Sequence, residues 1–179
     1  MINVTFVKPL TGIREARLSD LPEMVDIYNS AIALGGITCD TERFTTEERM
    51  DWFELHQLER YPLFVYEVDG KVAGYSHLTG YRTGRKAVEH VAEISYYVSG
   101  DFRKQGIGSK LVNHTLNKAK EIGYENVIAF VVEGNAASEA MLHKYGFREW
   151  GRMPKIANFN GVLHDHIYFG LNLKTAIEI

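Results

Sequence analysis

The chain has 179 residues, 45% of them apolar and 24% charged, with a net charge of −3. That length suits one domain with a substantial core, and that charge argues against a general nucleic-acid binder. The single cysteine, Cys39, excludes an internal disulfide and fits a reducing, cytoplasmic setting; no apolar run approaches the roughly 20 residues of a membrane span, so no membrane partner is expected.

Met1 to Gly12 lacks the basic start and cleavage site of a signal peptide and reads as a short extension before a single domain over 13–179. Ile13 to Arg17 alternates and predicts a first strand. Ser19 or Asp20 can cap the next helix, with Pro22 in its first turn and Leu21, Met24, Ile27, Tyr28 and Ala31 at helical spacing. Gly35 and Gly36 end it. A second helix begins at Thr45, with Met50, Trp52, Phe53 and Leu55 on its apolar side. Asp69-Gly70 stands between two β-rich runs, 63–68 and 71–78, which predicts a tight hairpin. Val91 to Val98 is the next strand, and 106–123 a helix with Ile107, Leu111, Leu116, Ala119 and Ile122 on one stripe. Asn126 to Val132 is nearly all apolar, as for a strand covered on both faces. A helix over 135–145 ends at Gly146, and two late strands follow, near 147–155 and 161–173. The order is β-α-α-β-β-β-α-β-α-β-β. The predicted fold class is α/β (α+β), with a mixed sheet of about seven strands and helices on both faces.

Between the strand ending at Val98 and the helix behind it stands Arg103-Lys104-Gln105-Gly106-Ile107-Gly108, followed by Ser109. Unpaired N–H groups at a helix N-terminus, glycines without a Cβ, and two cations form a cradle for a bulky anion. A P-loop is excluded because Gly108-Ser109-Lys110 reverses its last pair. A dinucleotide fingerprint is excluded because Leu111 stands where a third glycine belongs. A glycine-rich turn with solvated charges remains the plain alternative. The remaining pattern, Arg-x-x-Gly-x-Gly between strand and helix, resembles the acetyl-coenzyme A loop of the GCN5-related N-acetyltransferases (GNAT family). The element order resembles that family over about 13–173.

Further segments resemble the phosphinothricin and methionine sulfoximine acetyltransferase branch: the Tyr61-Pro62 hairpin ending in Val72-Ala73-Gly74, the strand Glu93 to Val98, Asn135 to Ser138, and Leu163-His164-Asp165. The resemblance implies acetyl-CoA as cofactor, a small amino-acid-like amine as acceptor, and a homodimer. It places cofactor contacts at Tyr96, Tyr97, Val98, Arg103, Lys104, Gln105, Gly106, Ile107, Gly108, Ser109, Asn135 and Ser138. Plain helix capping is the alternative for Asn135.

The resemblance implies direct attack of an amine on the thioester, which needs a base, and Glu93 is the candidate, on the strand that leads into the loop. Partial burial raises a carboxyl toward a useful pKa; the alternative is a structural bridge to Arg85. His164 is the second catalytic candidate by resemblance. The family's usual acid falls at Leu142, which has no proton to give, and His143 is turned about 100° around the helix. His164-x-His166 has the same-face spacing of a metal strand, but no further ligand is evident, so no metal is expected. Arg85 matches a branch arginine able to pair with a substrate carboxylate, with solvated turn charges as the alternative. Cys39 and Val88 replace a Phe and a Tyr at acceptor-pocket positions, which leaves the acceptor open. A peptide or protein acceptor, and a non-catalytic coenzyme A sensor, are the other readings.

Overall fold

A computed structural model describes residues 11–175. Residues 1–10 of the expected N-terminal extension lie outside them, and Gly12 opens the first strand. The strands are β1 (Gly12–Glu15), β2 (Leu63–Val68), β3 (Lys71–Gly80), β4 (Val91–Val98), β5 (Asn126–Val132), β6 (Arg148–Phe159) and β7 (Val162–Asn172). They form one sheet in the order β1-β2-β3-β4-β5-β7-β6. Among the described residues only β4 and β5 pair in parallel, and every other pair is antiparallel. The helices are α1 (Leu21–Leu34), α2 (Met50–Leu55), α3 (Ile107–Ile122) and α4 (Ala136–Lys144).

The Asp69-Gly70 turn has φ of 50° and 82°, the left-handed pair that lets a two-residue loop follow the twist of β2 and β3. On one face of the sheet, Leu21 and Met24 of α1 and Phe53 of α2 cluster with Leu63, Val65 and Tyr75. On the other, the α3 stripe meets Phe64, Ala73 and Ile94, while Leu142 of α4 joins Ala129 and Phe147. The central strand β5 buries Val127, Ala129 and Val131 toward this second cluster. Its opposite face, with Phe130 and Val132, borders a cavity instead of a helix.

Two local expectations fail. Asp20 sits at the helix start but does not cap it. Its carboxylate turns back to accept from the Arg14 guanidinium at 2.6 and 2.9 Å and from the Arg17 N–H at 2.7 Å, behind a 3-10 turn at Leu18–Asp20. The second helix is shorter than its pattern. A 3-10 turn at Glu47–Arg49 precedes it, Phe53 is its one buried residue, and Leu55 is exposed.

Candidate active site

β4 and β5 begin as neighbours and then part. Their pairing runs from Val91↔Asn126 to Glu93↔Ile128 and stops, although β4 continues to Val98 and β5 to Val132. β4 stays paired with β3 throughout. The Ser99 N–H and the Val91 C=O both bond the β3 side, at 2.9 and 3.1 Å. Antiparallel strands alternate, so the odd residues of β4 face β3. Tyr96 and Val98, beyond the last pair, therefore turn their N–H and C=O groups toward the gap.

The gap opens into a cleft of about 520 Å³ lined by Tyr96, Tyr97, Val98, Arg103, Lys104, Gly106 to Ser109, Asn135, Ser138 and Met141. α3 starts beneath it. Gly106 is left-handed (φ 77°), and the first helical bond found there runs from the Lys110 N–H to the Gly106 oxygen at 3.0 Å. The N–H groups of Ile107, Gly108 and Ser109 thus precede the ladder. Arg103 and Lys104 are exposed and form no ion pair among the described residues. The Tyr145 hydroxyl donates to the Ser109 carbonyl at 2.6 Å, and Lys144 Nζ donates to Ser109 Oγ at 2.7 Å, so α4 is tied to the mouth of α3. Gln105 does not line the cleft. Asn135 does two things: its Oδ1 accepts from the Ser138 N–H at 3.2 Å, which caps α4, and it also lines the cleft.

Beside this cleft, sharing Ile37 and Tyr97 with it, is a second cavity of about 290 Å³. Glu93, Ser95 and Tyr97 form its floor from β4, with His77 from β3, Phe130 and Val132 from β5, and His166 from β7. The segment after α1 closes one side with Thr38 and Cys39. Tyr28 holds that segment by bonds to Thr38 Oγ1 (2.8 Å) and to the Asp40 carboxylate, and Asn29 pairs with the Phe44 backbone at 2.8 and 2.9 Å. Arg49 and Trp52 close the other.

Glu93 makes no ion pair and no side-chain hydrogen bond among the described residues, so the bridge to Arg85 is absent. No buried side-chain polar atom among them lacks a partner. The unbonded Glu93 carboxyl therefore opens onto the cavity, and burial pushes its pKa up to about 7. Burial also pushes the His166 imidazole down; partial desolvation and the neighbouring Asp40 charge push the thiol of the otherwise exposed Cys39 up. A thiol held protonated is a poor nucleophile.

The Acetyltransferase (GNAT) family pattern matches residues 24–147. The chain belongs to this family. It is thereby an acyltransferase, and acetyl-CoA is its cosubstrate. A Bacillus subtilis (strain 168) relative, YwnH, provisionally named a phosphinothricin acetyltransferase, is 40% identical over 90% of this chain and 99% of its own. The L-methionine sulfoximine/L-methionine sulfone acetyltransferase of Pseudomonas paraeruginosa is 31% identical over 90% of this chain and 94% of its own. Among solved structures, a Sinorhizobium meliloti phosphinothricin acetyltransferase of the GNAT superfamily in complex with acetyl-CoA superposes with a TM-score of 0.85. It is 25% identical and covers 91% of this chain and 89% of that one.

The acetyltransferase cleft fits acetyl-CoA by its own geometry. A Cβ at Gly108 would stand 3.3 Å from Val98 Cγ2 and 3.5 Å from Met141 Cε, and so would fill the space the cleft leaves. Unpaired N–H groups and two free cations match a pyrophosphate.

Of the acceptor-side residues read from sequence, Glu93 and Cys39 line the second cavity. Arg85 and Val88 do not; Arg85 is exposed before a 3-10 turn at Lys86–Val88. His164 also lies outside, its ring edge-on to Phe159 at 5.6 Å, beyond the end of β5. His166 pairs with Val132 and reaches the cavity. Leu142 is fully buried, and His143 packs edge-on against Phe169. Arg49 and His77 carried no motif in the sequence. His77 stands as a polar residue within the buried run of β3, and Arg49 carries no signal at all.

Proposed function

We propose that this acetyltransferase moves the acetyl group of acetyl-CoA to the primary amine of a small amino-acid-like molecule by direct attack. The observation that carries this reading is the unpaired Glu93 carboxyl, with a pKa near 7, facing a small cavity next to the coenzyme cleft. Bound in the cleft, acetyl-CoA supplies an electrophilic thioester carbonyl and a thiol leaving group. Glu93 takes the proton that an incoming ammonium must lose. The N–H groups of Tyr96 and Val98 are the donors at the strand edge for developing negative charge on oxygen. Leu142 offers no proton to a departing thiolate, and an ordinary thiol pKa of about 8.5 makes departure without an acid tolerable.

Arg49 supports an acceptor that carries a carboxylate. Its guanidinium carbon lies 4.3 Å from the Trp52 ring centroid, 5.0 Å from Tyr28 and 5.1 Å from Phe44. Three rings hold it in place, and no carboxylate among the described residues pairs with it. A fixed guanidinium in a cavity wall matches a planar anion. The relatives' names, phosphinothricin and methionine sulfoximine, denote amino-acid-like molecules, in keeping with this. We place the reaction in the cytoplasm, on the single free Cys39; among the described residues no helix is long and apolar enough to cross a membrane.

Incubation with acetyl-CoA and a library of free amino acids, amines and peptides, read by mass spectrometry, tests the acceptor. N-acetylated amino-acid-like products are expected. Acetylation of peptides alone would overturn the acceptor class. Tight coenzyme binding without thiol release across the library would point to a sensor.

A homodimer is the assembly we propose, through the β6–β7 ribbon. Trp150, Met153, Ile156, Val162 and Leu163 are all exposed there, beyond what a solvated edge normally shows. Light scattering is expected to give twice the 20.4 kDa of one chain, and Ile156→Asp with Leu163→Asp to give the monomer. A monomeric parent protein would refute the interface.

A further inference from the structure

A polar chain runs behind the acceptor cavity. On β3, His77 and Thr79 stand opposite Ser95 and Glu93 of β4, on the face that lines the cavity. His56, just past α2, completes it, and both histidines are buried. His56 Nδ1 lies 2.7 Å from the Trp52 carbonyl oxygen, and its Nε2 lies 3.1 Å from Thr79 Oγ1. Thr79 Oγ1 is in turn 3.4 Å from His77 Nδ1.

The proton order in this chain has one solution. Burial pushes both imidazoles below the usual histidine range, so each ring is neutral and carries one proton. A carbonyl oxygen only accepts, so His56 holds its proton on Nδ1. His56 Nε2 must then accept, and the Thr79 hydroxyl donates to it. The Thr79 oxygen, its proton committed, accepts from the His77 Nδ1–H. What remains at His77 is Nε2 with a bare lone pair. That nitrogen has no hydrogen-bond partner among the described residues, and none of their buried side-chain polar atoms is unpartnered. It therefore opens onto the cavity that His77 shares with Glu93.

We propose that His77 Nε2 accepts a hydrogen bond from the acceptor amine, while Thr79 and His56 act as positioning residues that hold His77 in the tautomer able to do so. The inference rests on the reading that the Glu93 cavity binds the amine. An ammonium presents three N–H groups. Glu93 removes one proton, and a second N–H held by His77 stops rotation about the C–N bond. The freed lone pair then has a defined direction, which is the orientation part of catalysis. A neutral acceptor suits this place. A second carboxylate there would repel the Glu93 charge and push its pKa higher still.

Thr79→Val removes the hydroxyl and keeps the β-branched shape. The KM for the amine is expected to rise about tenfold, the loss of one hydrogen bond to a charged group, with the acetyl-CoA KM unchanged and Thr79→Ser restoring the parent value. Nitrogen NMR of the unmutated protein at mildly alkaline pH reads the tautomers directly. Both His56 and His77 are expected with a proton on Nδ1 and none on Nε2. A proton on His77 Nε2 would overturn the proposal, as would a Thr79→Val enzyme with an unaltered amine KM. If Thr79→Val does not fold, the NMR result decides alone. Full turnover in Glu93→Gln would instead remove the cavity reading beneath it; an inactive Glu93→Gln beside an unaffected Thr79→Val would remove only the role of His77.

Discussion

Glu93→Gln is expected to lower turnover by about a hundredfold to ten-thousandfold and to leave acetyl-CoA affinity near that of the parent. The amide keeps the shape of the side chain but cannot take a proton. The cleft proposed for the coenzyme is lined by other residues, so that affinity has no reason to change. In the parent, kcat/KM for the amine should rise through a pH of about 7, where the carboxyl ionises, and this limb should vanish in the variant. Stability moves the other way. Burial raises the carboxyl from 4.5 to about 7, so between those values the folded chain holds a proton that the unfolded chain has released. Stability contributed by this group is complete below the lower value and is lost as pH rises through the upper one. Above it the buried charge works against folding, and Glu93→Gln should raise the melting temperature, by an amount worth at most about 3 kcal/mol. The same gain at a pH below 4.5 would contradict this account, because the carboxyl is then neutral in both states. Equal losses of turnover and coenzyme affinity would remove Glu93 as the base.

Arg49→Gln should separate acceptors by charge. For a free amino acid, kcat/KM is expected to fall by about tenfold to a hundredfold, the range for a hydrogen bond to a charged group. For the corresponding amino-acid amide, which has no carboxylate, it should stay near the parent value. Arg49→Lys restores the charge but not the flat guanidinium that sits among the Trp52, Tyr28 and Phe44 rings, so it should recover only part of the loss. Matched losses for acid and amide would mean that Arg49 merely supports the cavity wall, and the carboxylate contact would have to be sought elsewhere.

Much of the fold could be read along the chain. The strands at 91–98 and 126–132 and the hairpin at Asp69-Gly70 match their predicted bounds, because alternation, an unbroken apolar run and a left-handed turn are each carried by adjacent residues. Asp20 and Leu55 depart from the pattern because a competing local partner, Arg14, takes the one carboxylate and a shortened helix leaves the other side chain exposed. His164 and His166 show the limit most plainly. Two residues apart, they share a face of β7, and nothing in their spacing tells them apart. The end of β5 does: Val132 pairs with His166, while His164 lies beyond it with only β6 at its side.

The sequence by itself determined the proposed donor half of this acetyltransferase. Strand, glycine loop and helix start are contiguous from Ile94 to Lys110, so the N–H groups, the cations and the space left by Gly108 were all written in one stretch, with Glu93 just before it. Only the tertiary structure decided the proposed acceptor half. Its cavity draws Cys39 and Arg49 from the α1–α2 region, His77 from β3, Phe130 from β5 and His166 from β7. These meet because the sheet order and the early parting of β4 from β5 bring them together, and neither is carried by the pattern of neighbouring residues.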